Sequence, residues 1–345
     1  SLPILKNVFL EARDNQIVLT TTNLEIAARA TVQGKVLEVG KVTVPISSLS
    51  AIINALQTER LNLEKKGNNL EIQADNYRAP LQGLPPDEFP IIPKIHDTKE
   101  RIEIKAEILK DALSQVLVAT QPTELRPELN SVLLDFSIDT LRFVATDSFR
   151  LAEKTLGDKE YEAAGAEGFR ALIPLKTAHE VSRILADDET VTISRDENQI
   201  LFKTPAFELI SRVIDGNFPD YTAIIPKKFG AEIVLSRQEL AGALKLASVF
   251  GSRTSEVKIS ASENKRGIEI SSAEQGVGEN SYVLPAKIQG TLKETAFNWR
   301  YLLDALKTQK TEEVFFGVNE GGEPALLRAP KDGSYLYIVK PILKT

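Results

Sequence analysis

The chain has no cysteine and no methionine, and it has two histidines among 345 residues. The absence of cysteine excludes disulfide bonds and thiolate metal sites, and it fits the reducing environment of a cytoplasm. The histidines His96 and His179 have no second histidine or cysteine at metal-ligand spacing. The sequence therefore predicts no metal site, and we expect a cytoplasmic protein. Because Ser1 stands directly before an apolar segment and no initiator methionine is present, we also expect a preceding N-terminal segment.

Long apolar runs are also lacking, so the sequence predicts no membrane span, and no segment has the pattern of a signal peptide. Hydrophobic residues make up 42% and charged residues 26% of the chain, which is typical of a soluble globular protein with two or three domains. The net charge of −6 argues at first sight against a nucleic-acid partner.

Motifs that carry chemistry are absent as well. The chain has no GxxxxGK[ST] phosphate loop and no HExxH, CxxC or GxSxG motif. The lone GxG of Gly276 and Gly278 lies in a polar stretch and is better explained as a turn between two strands. We therefore expect no catalytic residues and no cofactor.

What the chain does contain is an internal repeat. Three segments begin with a short strand and continue with apolar positions at helical spacing, with starts roughly 125 residues apart. These segments are 44–56, 173–185 and 297–307. Each is followed by an alternating pair of strands with a polar turn and then by a further strand.

A second half, with a helix and strands, precedes two of these segments. The predicted helices are 107–120 and 237–252, whereas the first copy begins directly with strands at 4–12 and 16–21 and lacks its first helix. Related proline-rich segments at 85–93 and 215–226 end the first two copies, since proline terminates strands. The sequence thus predicts an α+β protein of three repeated helix-strand domains, at 1–97, 98–226 and 227–345.

Basic residues are concentrated on the predicted helices, while acidic residues are plentiful in the loops. An acidic protein can therefore present a basic helical face to a nucleic acid, although for any single helix a solvated charged face is the simpler explanation. The candidate DNA-binding residues on these helices are Lys176, Arg183, Arg237, Lys245, Arg300 and Lys307.

A polar turn at Thr146–Asp147–Ser148–Phe149–Arg150 follows a predicted strand. Asp147 and Ser148 favour turns, and Arg150 is positioned to pair with Asp147. From the residues alone, a structural turn and a binding site explain this segment equally well. An alternative function is a repeat-built α+β enzyme with a site around Asp147, Arg150 and Asp220, which would require a perturbed acid or base in a shared pocket.

The same turn also carries a family resemblance. The segment 145–152 (ATDSFRLA) resembles the ATDGHRLA signature of the bacterial DNA polymerase III beta subunit, the DNA sliding clamp. Further segments match that family in order along the whole chain: 2–5 (LPIL), 126–130 (RPELN), 218–221 (FPDY), 225–226 (IP) and 337–341 (YIVKP).

The resemblance implies a ring-shaped homodimer that encircles duplex DNA without reading its sequence and confers processivity on a replicative DNA polymerase, without catalysis of its own. Antiparallel sheets would form the outside and helices would line the hole. Edge strands would pair between subunits, and by position Leu81, Val249 and Phe250 resemble the apolar contacts of that dimer interface. Gln121 matches a DNA-contacting loop position, and Arg126 is its neighbour.

The resemblance further implies a cleft between the second and third domains for short peptides of partners: replicative and other DNA polymerases, the clamp loader and other proteins with a clamp-binding motif. The matching positions are Leu129, Thr146, Ser148, Phe149, Arg150, Leu151, Pro219, Ile224, Ile338, Val339, Pro341 and Ile342. The chain departs from the family where Ser148-Phe149 replaces Gly-His and where Lys340 replaces a common methionine. A peptide-binding scaffold that does not bind DNA is a third alternative.

Overall fold

The computed structural model describes residues 2–93, 95, 100–123, 125–137, 139–165, 168–250, 255–263 and 266–343. Within these residues the α-helices are α1 (Ile46–Ala55), α2 (Ala106–Leu117), α3 (Leu175–Ile184), α4 (Arg237–Ala247) and α5 (Trp299–Thr308). No helix in the described part of the chain is long and apolar enough to cross a membrane.

The strands outnumber the helices. In the first part of the chain they are β1 (Asn7–Arg13), β2 (Gln16–Thr22), β3 (Ile26–Gln33), β4 (Gly40–Pro45), β5 (Asn62–Lys66), β6 (Asn69–Ala74), β7 (Tyr77–Leu81) and β8 (Arg101–Lys105). The middle part contributes β9 (Ser131–Ser137), β10 (Thr140–Thr146), β11 (Arg150–Leu156), β12 (Tyr161–Ala164), β13 (Phe169–Pro174), β14 (Thr190–Arg195), β15 (Gln199–Lys203) and β16 (Phe207–Arg212). The last part contributes β17 (Ala231–Ser236), β18 (Glu256–Ala261), β19 (Gly267–Glu274), β20 (Gly278–Pro285), β21 (Lys287–Gly290), β22 (Thr295–Asn298), β23 (Glu313–Val318), β24 (Ala325–Arg328) and β25 (Tyr335–Val339).

The chain divides into two compact units. Unit 1 consists of Ser1–Ile104, Ala163–Gly165 and Glu189–Val213, and unit 2 consists of Lys105–Glu162, Ala166–Asp188 and Ile214–Thr345. The predicted boundary near residue 226 falls inside unit 2, and the one near residue 97 lies outside the described residues.

Unit 1 is built mainly from sheet. Eight of its strands lie in one sheet in the order β8-β14-β15-β16-β3-β2-β1-β4, and β5-β6-β7 form a separate sheet of three strands. Alternate residues of β8 and β14 are buried, as expected for strands with one face against a core. The helix α1 follows β4 directly and buries Leu49 in a core with Val44 and Ile72.

Unit 2 has a sheet of nine strands in the order β13-β9-β10-β11-β25-β24-β23-β17-β21, and a second sheet in the order β20-β19-β18-β22. The helix α2 buries Ala106, Leu109, Leu113 and Val116, which are spaced as the helical period requires, and it packs against α3. The helix α4 packs against α5 in the same way. Each unit is therefore a mixture of helices on antiparallel sheets, and the prediction of an α+β fold is confirmed.

Several predicted element ends differ from the structure. Residues Pro3–Lys6 form a 3-10 turn rather than the start of a strand, because Pro3 has a fixed φ and no N–H for a ladder. The helix predicted at 237–252 ends at Ala247, where the Ser248 hydroxyl donates to the Lys245 carbonyl, and residues 251–254 lie outside the described part. The helix predicted at 107–120 also ends early, at Leu117, and the Thr120 hydroxyl donates to the Leu117 carbonyl at 2.7 Å.

Candidate functional site

The turn between β10 and β11 is fixed by its own side chains. The Thr146 hydroxyl donates to the Arg150 carbonyl at 2.7 Å and accepts from the Ser148 amide at 3.1 Å. One Asp147 carboxylate oxygen accepts from the amides of Phe149 and Arg150, both at 2.9 Å. This network holds Ser148 at a φ of 77°, a left-handed conformation that a residue with a Cβ rarely adopts. The turn is therefore a defined structure rather than a flexible loop.

Arg150 is the centre of a buried ion-pair network in unit 2. Its Nε lies 2.9 Å from Asp147 Oδ2 and its Nη1 lies 2.7 Å from Asp304 Oδ2 on α5. Its Nη2 donates to the Thr120 carbonyl at 3.3 Å, and its guanidinium stacks 4.2 Å from the Tyr301 ring centroid. The Arg150 side chain is 10% exposed and that of Asp147 is 3% exposed. The predicted pairing of Arg150 with Asp147 is thus present, and it connects the turn to α5.

A cleft of about 270 Å³ lies beside this turn, within unit 2. Nine of the predicted peptide-site residues line it: Leu129, Thr146, Ser148, Phe149, Arg150, Leu151, Pro219, Ile224 and Ile338. Val339 does not, because successive strand residues face opposite sides and its side chain is fully buried behind Ile338. Pro341 and Ile342 are also outside the lining, and the Ile342 amide instead donates to the Ala296 carbonyl at 2.8 Å.

The floor of the cleft is apolar and is formed by residues on paired strands. Leu151 and Ile338 are cross-strand partners on β11 and β25, and both are buried in one core cluster with Tyr221. The Tyr221 hydroxyl donates to Glu153 Oε2 at 2.5 Å, and burial together with this hydrogen bond raises the pKa of Tyr221. Phe149 is 60% exposed at the rim. Aliphatic and aromatic surface is thus accessible above a fixed floor.

The polar rim of the cleft carries mostly positive charge. Arg126 Nε lies 3.0 Å from Glu128 Oε1, and its Nη1 donates to the Ser148 hydroxyl at 3.2 Å. Lys340 is exposed at the end of β25. Asp220 accepts hydrogen bonds from the hydroxyl and amide of Thr222, which lower the pKa of its carboxyl. The rim is therefore suited to polar and acidic groups of a bound chain.

Five lining residues were not predicted as part of the peptide cleft. They are Arg126, Asp220, Tyr221, Pro324 and Lys340. Arg126 is a predicted DNA-binding residue, and Asp220 belongs to the predicted alternative enzyme site. Tyr221 could have been found, because it completes the FPDY motif that contributes Pro219. Pro324 follows a glycine turn far along the chain from the signature at 145–152, and no sequence pattern connects the two.

The alternative enzyme site is not favoured by this geometry. Arg150 is held in two ion pairs. The pKa of Asp220 is shifted down by its hydrogen bonds with Thr222, away from the neutral range in which a general acid or base works.

Comparison with known proteins covers nearly the whole chain. Models of the DNA polymerase III beta subunit match in order, with the N-terminal domain at residues 1–93, the central domain at 103–220 and the C-terminal domain at 222–343. The chain belongs to the DNA polymerase III beta subunit family. The three-domain architecture is therefore that of the family, and the boundaries at 97 and 226 stay predictions.

Relatives of similar length share about a quarter of their residues with this chain. The beta sliding clamps of Bacillus subtilis and Synechococcus elongatus are 29% and 27% identical, over 99% of this chain and 93% and 92% of theirs. The crystal structures of the Bacillus subtilis DNA polymerase sliding clamp and of the Pseudomonas aeruginosa DNA polymerase III subunit beta each match with a TM-score of 0.94, at 28% and 26% identity. Both structural matches cover 100% of this chain and 93% of that structure.

The candidate DNA-binding residues of this beta subunit family member all lie in unit 2. Gln121, Arg126, Lys176, Lys245, Arg300, Arg183 and Lys307 are exposed. Arg183 pairs with Glu180 at 2.6 Å and Lys307 with Asp304 at 2.9 Å, so both are partly neutralised. Arg237 is half-buried, and its guanidinium donates to the carbonyls of Thr311 and Leu306 at 2.8 and 3.3 Å. Arg237 therefore has a structural role at the end of α5, which its charge alone did not reveal.

The candidate dimer-interface residues lie in both units, and each is described within its own unit. In unit 1, Leu81 ends the edge strand β7 and packs partly against the core around Ile72. In unit 2, Val249 is 64% exposed in the 3-10 turn Ser248–Phe250 after α4. Phe250 is half-buried and lies close to Gly278 at the start of β20, which is also an edge strand.

Proposed function

We propose that this protein is a DNA sliding clamp, which closes as a ring-shaped homodimer around duplex DNA and confers processivity on a replicative DNA polymerase. The observation that carries the proposal is the match of all three beta subunit domains, in order, together with a fold similar over 100% of the chain to the Bacillus subtilis sliding clamp. In this role the protein is non-catalytic and works in the cytoplasm, where replication takes place.

Contact with DNA would be electrostatic and independent of sequence. Lys176 on α3 and Lys245 on α4 are exposed, as is Arg300 on α5. Side chains of this kind bind phosphates and release counterions, so the affinity falls steeply with salt concentration but carries no base specificity. A ring held by such contacts can slide, because each phosphate contact is replaced by an equivalent one at the next base pair.

Partner proteins would bind the cleft of unit 2 through short extended peptides. The apolar floor around Leu151 and Ile338 accepts aliphatic or aromatic anchors, and the rim at Arg126 and Lys340 accepts polar or acidic groups. DNA polymerases, the clamp loader and other proteins with a clamp-binding motif would compete for this cleft. Two clefts per homodimer allow two partners to be held at high effective concentration.

Ring closure would use the edge strands. β7 ends one sheet of unit 1 and β20 ends one sheet of unit 2, and an unpaired edge is a template for another strand. Pairing of β7 of one protomer with β20 of the second, in a head-to-tail manner, would give two identical junctions and a closed ring. Leu81, Val249 and Phe250 would provide the apolar contacts of each junction.

The test of the proposal is topological. The protein is loaded with the clamp loader of the same organism onto nicked circular DNA and onto the same DNA after linearisation, and retention is followed by gel filtration in high salt. We expect long retention on the circle and rapid loss from the linear DNA, because a ring can slide off free ends. Equal retention on the two DNAs would show that binding is not topological.

The cleft has its own test. A fluorescent peptide of the family's clamp-binding consensus is titrated against the parent protein and the Leu151→Asp variant, with Leu37→Asp as the control, since Leu37 is 86% exposed in unit 1. We expect binding to the parent and to Leu37→Asp and none to Leu151→Asp. Unchanged binding to Leu151→Asp would place the peptide elsewhere.

A further inference from the structure

The turn between β2 and β3 in unit 1 has the same construction as the turn beside the cleft of unit 2. The Thr22 hydroxyl donates to the Ile26 carbonyl at 2.9 Å and accepts from the Leu24 amide at 3.0 Å. Asn23 Oδ1 accepts from the amides of Glu25 and Ile26 at 3.0 and 2.8 Å. Leu24 also has a φ of 77°, the value found at the corresponding residue of the other turn.

The strands that follow the two turns are paired alike. In unit 1 the amide of Arg212, the last residue of β16, donates to the Glu25 carbonyl at 2.9 Å. In unit 2 the Lys340 amide, after β25, donates to the Phe149 carbonyl, also at 2.9 Å. Each unit therefore places the end of an incoming strand and a basic residue beside the turn.

The floors correspond as well, with one difference in size. Ile210 is the cross-strand partner of Ala27 in unit 1, as Ile338 is the partner of Leu151 in unit 2. Because alanine replaces leucine at this position, the floor in unit 1 has room for an additional aliphatic side chain. The cavity above it has a volume of about 70 Å³, and both Ala27 and Ile210 line it.

The wall of this cavity is the segment 90–93 (PIIP), in the place that Pro219 and its neighbours take in unit 2. Arg29 Nη2 donates to the Ile92 carbonyl at 3.3 Å and holds the segment. Ile91 is 94% exposed and Leu24 is 54% exposed, so apolar surface stands on both sides of the opening. A second cavity of about 630 Å³ shares Pro93, Gln199 and Arg212 with the first, and the two form one groove.

The charge of the groove is opposite to that of the cleft in unit 2. Among the residues that the structure describes, three carboxylate residues line it, Glu25, Asp196 and Glu197, together with one guanidinium, that of Arg212. An acidic rim around an aliphatic floor favours a bound chain with basic residues flanking an apolar one.

We infer that this groove of unit 1 is a second docking site, which binds a short extended peptide with aliphatic side chains between basic residues. The choice of a peptide as occupant rests on the function proposed for the cleft of unit 2, whose construction the groove repeats. The opposite charge of the two rims would direct basic peptides to unit 1 and acidic peptides to unit 2.

The experiment uses the full chain labelled with ¹³C at the isoleucine δ1 methyl groups. The probes are acetylated and amidated peptides of the sequences Lys-Leu-Lys-Leu-Lys and Glu-Leu-Glu-Leu-Glu. Titration with the basic peptide is expected to shift the methyl signals of Ile92 and Ile210 saturably, whereas the acidic peptide leaves them in place. Failure of the proposed cleft is read separately, from the methyl signals of Ile224 and Ile338 with the peptide of the clamp-binding consensus.

Two variants with matched controls test the residues of the groove. Leu24→Arg introduces a positive charge at the apolar edge, and its control is Val32→Arg, because Val32 is 51% exposed on β3 outside the groove. Glu197→Lys reverses one charge of the rim, and its control is the exposed Glu38→Lys. We expect each groove variant to weaken the basic peptide about tenfold and each control to leave its affinity unchanged, with melting curves that superimpose on the parent.

Three outcomes would overturn the inference: equal binding of the acidic peptide at Ile92 and Ile210, shifts confined to Ile224 and Ile338, or unchanged affinity in Leu24→Arg and Glu197→Lys. A groove variant that unfolds is replaced by Leu24→Ser, which copies the residue found at Ser148. Its affinity for the basic peptide is expected to fall about threefold.

Discussion

At the scale of single residues, Arg150 gives the first prediction, because its side chain is the centre of the buried ion-pair network. Replacement by methionine would leave the carboxylate of Asp147, which is 3% exposed, without its cation. Removal of one partner from a buried ion pair costs about 3 kcal/mol or more, so we expect the free energy of unfolding to fall by that amount in Arg150→Met, measured by urea titration. The matched control is Arg183→Met, because that guanidinium is 71% exposed beside Glu180 and its loss should cost less than about 1 kcal/mol. An equal fall in the free energy of unfolding in the two variants would contradict a stabilising role for the buried ion pair of Arg150.

Ser148 gives a second prediction at this scale. Its φ of 77° is unfavourable for a residue with a Cβ and free of cost for glycine, the residue that the family signature has at this position. We expect Ser148→Gly to raise the free energy of unfolding by roughly 0.5 kcal/mol, net of the exposed hydrogen bond from Arg126. The control is Ser148→Ala, which loses the same hydroxyl but keeps the Cβ and should not be stabilised. A stabilised Ser148→Ala would show that the backbone conformation is not the cause.

The site could be predicted from the sequence as far as local motifs reach. The signature at 145–152 and the FPDY motif at 218–221 locate most of the cleft, because these two segments themselves supply most of its lining residues. Arg237 was misleading, since a charge on a helix does not reveal whether carbonyls such as Leu306 and Thr311 bind it. Pro324 could not be found, because its place depends on the pairing of β24 with β25.

At the scale of elements, the helical period located α1 to α5. The ends of α1, α3 and α5 lie within one residue of the predicted ends, whereas α2 and α4 end earlier than predicted. Just after α4 and α2 end, the hydroxyls of Ser248 and Thr120 donate to carbonyls of the preceding turn, and hydroxyl residues of this kind are also tolerated inside helices. Strand β3 was missed because its alanine-rich sequence has low β-propensity. Its place is set instead by pairing with β2 and β16.

The sheet of β5, β6 and β7 gives the prediction at this scale. Hydrogen bonds from Arg78, Lys66 and Gln73 hold the pKa of Glu71 at about 2, below its ordinary value of 4.5. A pKa lowered by folding stabilises the sheet fully above the ordinary value, and this stabilisation is lost as the pH falls from 4.5 towards 2. We expect urea midpoints of the parent to fall over this pH range and those of Glu71→Gln to fall less. The control, Glu64→Gln, should follow the parent, since Glu64 is 59% exposed. If the urea midpoints of Glu71→Gln fell with pH as much as those of the parent, Glu71 would not be the source of the pH dependence.

At the scale of the whole molecule, the proposed ring has two identical junctions, so a substitution at a junction residue weakens the dimer at both. Val249 is 64% exposed in the single chain, so its replacement by aspartate should leave the protomer folded. If Val249 is buried at the junction, the aspartate costs about 2 kcal/mol at each of two junctions, and the dissociation constant of the dimer rises roughly a thousandfold. Sedimentation velocity over a dilution series would measure this change.

The matched control for the junction is Leu37→Asp, which places the same charge at a side chain that is 86% exposed in unit 1 and not on an edge strand. We expect Leu37→Asp to sediment as the parent does, while Val249→Asp sediments as a monomer at concentrations where the parent is dimeric. The variant should also lose its retention on nicked circular DNA but keep its affinity for the clamp-binding peptide, because the cleft lies within one chain. If Val249→Asp remained dimeric, Val249 would not lie at the junction. If the variant were monomeric but still retained on nicked circular DNA, retention would not require a closed ring.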